Sequence, residues 1–124
     1  MDDRIGKRFA RALADKDREA LLEVLDPNVD FRAMTPDDSW EASSAKALVD
    51  EILFGAWFEP GDHIDSLDAV ETGTVANRHR VSYRLRVHNP GGAFLLEQQA
   101  YFDPGDDRIK WLRIMCSGFQ PVDG

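Results

Sequence analysis

Apolar positions recur at helical spacing near the start of the chain, where Ile5, Phe9, Ala12 and Leu13 form a stripe and Arg4, Lys7, Arg8 and Arg11 lie off it. This spacing predicts a first helix over residues 2 to 14. The segment DKDREALLEVLDP offers Asp15 or Asp17 as an N-cap, a Leu21/Leu22/Leu25 face and Pro27 as a stop, which makes a short second helix. Val29, Phe31 and Ala33 alternate as a strand, and TPDDSWEA after them has turn chemistry. From Ser43 or Ser44, Leu48, Val49, Ile52, Leu53, Ala56 and Trp57 repeat with helical period until EPGD, giving a third helix. Beyond Asp62 the period drops to two. HIDSLDAVE, TVANRHRVSYRLRVH, AFLLEQQAYFD and RIKWLRIMCSGF read as strands separated by Thr72-Gly73, NPGG and PGDD. The order predicts a single α+β domain over residues 1 to 124, with N-terminal helices packed on a curved antiparallel sheet and a small-molecule cavity at its mouth.

Alternation also assigns faces. Between Arg78 and Asn89 the chain gathers four arginines, two histidines and a tyrosine. The arginines fall on one face, and Val81, Tyr83, Leu85 and Val87 with His79 on the other. A turn over residues 89 to 92 sets Tyr83 opposite Gln98, His79 opposite Phe102, Arg84 opposite Glu97 and Arg78 opposite Asp103. Two opposite-charge pairs falling out of one register support it. The same counting through PGDD sets Gln98 opposite Arg113 and Ala100 opposite Trp111, so that Tyr83, Gln98 and Arg113 form a polar row inside the sheet. Leu95, Leu112, Ile114 and Cys116 then lie on the other face as an apolar patch, which predicts a homodimer through the sheet.

A net charge of -8 argues against nucleic acid or an anionic membrane as partner, since both require a positive footprint. No run approaches the ~20 apolar residues of a membrane span, and the start MDDRIGKRFA lacks the order of a secretory signal, so the expected location is cytoplasmic. One cysteine, Cys116, excludes an internal disulfide and reads as a packed apolar residue. His63, His79 and His88 do not fall at metal-ligand spacing, and no Gly-rich phosphate loop is present, so no metal and no cofactor is expected.

FARALADKDREALLEVLDPNVDF (residues 9 to 31) and EQQAYFDPGDDRIKWLR (residues 97 to 113), with the element order, resemble the nuclear transport factor 2-like superfamily and its SnoaL-like branch. The resemblance spans nearly the whole chain. It implies a cone closed by helices, often dimeric through the sheet, in a group of isomerases, polyketide cyclases, dehydratases, epoxide hydrolases and non-enzymatic binders. The residues of the ketosteroid isomerase mechanism have no counterpart: Phe9 stands where the resemblance asks for a first-helix tyrosine, Ala33 at the strand-end base, and Gln98 or Ala100 at the deep carboxyl. RLR and RHR do not match the epoxide hydrolase relay. Arg113 and Ser117 stand where a cyclase presents an acid.

Three readings follow. In an acid/base enzyme, His79 titrates near neutrality, Tyr83 and Arg113 stabilise an oxyanion, and Asp30 or Asp38 orients the imidazole. A non-catalytic module instead binds a small, largely apolar molecule, with Gln98, Trp111, Trp57, Trp40 and Phe9 among the contacts. The third reading is a dimeric accessory domain.

Overall fold

The computed structural model describes residues 4–104 and 107–122. Helix α1 (Arg4–Ala14) buries Ile5, Phe9 and Leu13 against the sheet. It comes close because Gly6 has no side chain: a Cβ there would sit 3.1 Å from Cβ of Val81. Helix α2 (Arg18–Val24) starts at Asp17, whose carboxylate accepts from the Ala20 amide at 3.1 Å. It ends before Pro27, which lies within strand β1 (Leu25–Thr35).

TPDDSWEA is less of a turn than its composition implies. Only Pro36 and Asp37 turn, with Asp37 in the left-handed region at φ 69°, and Asp38–Ala42 form strand β2 paired to β1. Side-chain packing of Trp40 outweighs the poor strand propensity of its neighbours.

The third helix also departs from expectation. Helix α3 (Ala45–Ala47) is capped by the Ser44 hydroxyl and runs directly into a π-helix (Leu48–Trp57). The five-residue repeat buries Leu48, Val49, Ile52, Leu53 and Trp57 and leaves Ala56 exposed, although a regular α-period groups Ala56 with the core. Gly55 permits it, since a Cβ there would lie 2.7 Å from the Asp50 carbonyl. Arg18 ties α2 to this segment through a two-pronged contact to Asp50, at 2.7 and 2.9 Å.

Strands β3 (His63–Val75), β4 (Arg78–Asn89), β5 (Gly92–Pro104) and β6 (Ile109–Cys116), with the short β7 (Gln120–Pro121), complete a seven-stranded sheet. Its order is β2-β1-β6-β5-β4-β3, with β7 on β5. The sheet is mixed rather than antiparallel throughout, because β1 runs parallel to β6. The β3–β4 hairpin turns at Ala76 and Asn77, with Ala76 at φ 53°, and not at Thr72-Gly73, which stays within β3. Of the PGDD turn, Gly105 and Asp106 lie outside the described residues, as do Asp2 and Asp3 of the first helix.

The β4–β5 register is the one expected. Tyr83 pairs with Gln98, His79 with Phe102, and ion pairs join Arg84 to Glu97 at 3.1 Å and Arg78 to Asp103 at 3.8 Å. The β5–β6 register is not. Asp103 pairs with Trp111 but Pro104 with Ile109, so β6 carries an extra residue at Lys110. Such a bulge reverses the alternation beyond it. Leu112, Ile114 and Cys116 therefore point into the core, and Trp111, Arg113 and Met115 lie on the outer face. This removes the apolar outer patch on which the dimer expectation rested. Among the described residues no helix is long and apolar enough to cross a membrane.

Candidate functional site

Between the end of the π-helix, the β1–β2 turn and the inner ends of β5 and β6 lies a cavity of about 370 Å³. That volume is at the small end for ligand pockets. Trp40 and Trp57 form one wall with their rings edge to face, 6.1 Å apart. Leu96, Cys116 and Phe119 form the other. Thr35 and Gln120 supply polar atoms at the rim, though the Thr35 hydroxyl already accepts from Nε1 of Trp40 at 2.8 Å. Among the described residues no carboxylate and no imidazole lines this mouth.

Trp57 is only 9% exposed, and its Nε1 has no hydrogen-bond partner among the described residues. A buried donor left unpaired costs about 1–3 kcal/mol. The π-helix puts it there, by turning Trp57 rather than Ala56 toward the core.

Behind the mouth the polar row survives in part. The Tyr83 hydroxyl donates to Oε1 of Gln98 at 2.5 Å, and Nε2 of Gln98 donates to Sγ of Cys116 at 3.3 Å. The Gly118 amide donates to the same sulfur at 3.4 Å. Burial raises the Tyr83 phenol well above its ordinary pKa, with the neighbouring Cys116 adding to the shift, so Tyr83 is a neutral donor. Phe9 packs edge-on to its ring with no exposure of its own, as filling of the interior.

The remaining expected residues lie elsewhere. His79 stacks on Phe102 at 5.5 Å and does not line the mouth. Asp30 pairs with Arg113 at 3.3 Å, and Asp38 sits at the start of β2. Arg113 is on the outer face, donating to the carbonyls of Asp30 and Leu112, with its guanidinium 4.4 Å from the Trp111 ring. The Arg78 guanidinium also lies over the Trp111 ring, at 4.3 Å, which makes Trp111 a support for charged side chains. The proposed grouping of His79, Tyr83 and Arg113 is thus not formed, because the bulge at Lys110 sends Arg113 outward. Of the expected contact residues, Trp40 and Trp57 reach the cavity, and Gln98 touches it through Cys116. Leu96, Cys116 and Phe119 were missed, the second because the bulge hides its true face.

A cone of this kind is found in many solved structures, and the chain has the nuclear transport factor 2-like fold. A protein from Bacillus subtilis, provisionally named an isomerase, superposes with a TM-score of 0.75 at 17% identity, over 94% of this chain and 90% of that one. A provisionally named SnoaL-like polyketide cyclase from Shewanella putrefaciens gives 0.71 at 11% identity, over 93% and 88%. A LEH-like epoxide hydrolase from M. tuberculosis gives 0.66 at 11% identity, over 92% and 80%. No family model and no curated protein matches the sequence.

Proposed function

We propose that the chain is a binding module that takes a small, largely apolar molecule bearing a hydrogen-bond acceptor into the mouth between Trp40, Trp57, Leu96, Cys116 and Phe119. The unpaired buried indole N–H of Trp57 carries this reading, because it asks for an acceptor on the ligand and aromatic walls ask for an apolar body. Proteins provisionally named an isomerase and a polyketide cyclase, and a LEH-like epoxide hydrolase, share the fold. Binding without turnover is favoured over acid/base catalysis by the wall itself. Among the described residues it holds no carboxylate or imidazole, His79 is engaged with Phe102, and the Tyr83 phenol is held neutral.

The test compares 2-tetralone with tetralin, which share shape and differ in the carbonyl. Trp57 and Trp40 report occupancy through their fluorescence. 2-Tetralone should bind about tenfold or more tightly than tetralin, the worth of a buried hydrogen bond, and Trp57→Phe should erase the difference. Equal affinities for the two compounds in the native chain, or no binding of either, sink the proposal.

A further inference from the structure

On the outer face of the sheet a groove of about 620 Å³ runs across β1, β2, β5 and β6. Cross-strand register sets its floor. Ser39, Met34, Met115 and Gln99 form one row across the four strands, and Glu41, Arg32, Arg113 and Tyr101 form the next. The first row is apolar at its centre and the second is cationic.

Two arginines directly opposite on paired strands repel. Arg113 is relieved by Asp30 and by the Trp111 ring. Arg32 has no such relief. Its side chain makes no hydrogen bond or ion pair among the described residues, its cross-strand neighbour Glu41 included. Beside it, Met34 and Met115 are each 55% exposed, the two most exposed large apolar side chains among the described residues. Thioether side chains adapt to irregular apolar surfaces, and a guanidinium fork takes a carboxylate through two parallel bonds.

We propose that this groove is a second binding site, for a small amphipathic carboxylate whose head pairs with Arg32 and whose apolar body covers Met34 and Met115. The size of the anion follows from charge. A chain of net charge -8 repels polyanions, and of the groove's two guanidinia Asp30 already holds that of Arg113, which leaves the side chain of Arg32 for a single carboxylate. A second copy of the same face fits less well, since it brings those guanidinia toward their own kind.

Calorimetric titration of the intact chain with 2-naphthoate and with the neutral 2-naphthamide tests it. 2-Naphthoate should bind one to one and at least tenfold tighter than 2-naphthamide, and added salt should weaken the carboxylate alone. Arg32→Gln should cost 2-naphthoate about ten- to a hundredfold, the loss of a charge-assisted pair, with the fold retained by circular dichroism. Met34→Ser should weaken both compounds. Trp57→Phe should leave 2-naphthoate binding unchanged, which separates this groove from the mouth. Three results overturn the proposal: no heat with 2-naphthoate, an unaltered affinity in folded Arg32→Gln, or a dimer in light scattering that Met34→Asp splits, since a second copy then owns the face.

Discussion

Tyr83 and Gln98 show what a single cross-strand pair does in the interior. Each is buried and each satisfies the other, so removing one partner leaves a polar atom stranded. Tyr83→Phe strands Oε1 of Gln98 and should cost about 1–3 kcal/mol in chemical denaturation. Gln98→Glu should cost more at neutral pH, because it places a carboxylate beside a buried phenol and a sulfur. This pair was legible in the sequence, since the NPGG turn and two charge pairs fix the β4–β5 register independently. Arg113 was not. Its face depends on one extra residue at Lys110, and alternation counted across PGDD has no means of sensing an insertion. Leu112, Ile114 and Cys116, the inward-pointing residues of β6 beyond the bulge, were consequently placed outside.

Among the elements, the π-helix matters most to the site. The spacing of Leu48, Val49, Ile52 and Leu53 fits an α-helix and a π-helix alike, so the sequence identified a helix and missed its winding. What separates the two is which of Ala56 and Trp57 is buried, and that is decided by the sheet and by Trp40 and Phe31, against which the Trp57 ring packs. Gly55→Ala tests the winding. The added methyl meets the Asp50 carbonyl, a backbone atom that yields only by unwinding the turn. Thermal unfolding should drop by several degrees, consistent with about 1–2 kcal/mol, although alanine is otherwise the better helix former. The mouth should change with it, seen as a shifted Trp57 emission maximum. An unchanged melting temperature contradicts the tight contact.

For the whole molecule, the surface ion pairs give a direction to acid sensitivity. The Arg18 hydrogen bond holds the Asp50 carboxyl below its usual value, and the Ser66 hydroxyl followed by Arg86 does the same for Asp68. A depressed folded pKa gives stability that is present above the unfolded aspartate value, about 3.9, and lost as pH falls through the folded one. Melting temperature should therefore hold steady down to about pH 5 and decline below pH 4. Asp50→Asn with Asp68→Asn should flatten that decline while lowering stability at pH 7, measured by thermal scans across the range. Both pairs are largely exposed, so the effect is modest. At this scale the fold was the most legible feature, because element order and turn chemistry suffice to define a cone. Its parallel seam was not legible, since no local pattern announces a partner so distant in the chain.

That seam also governs when the fold can be completed. Leu25 of β1 finds its neighbour at Ile109, ~80 positions later, so closing this loop is entropically slow. During synthesis the early helices and β1 must wait beside the ribosome, with the edge of β1 that later pairs in parallel left open, until β6 emerges. A nascent chain stalled before that point should be sensitive to protease and attractive to chaperones, and one stalled beyond it should be protected.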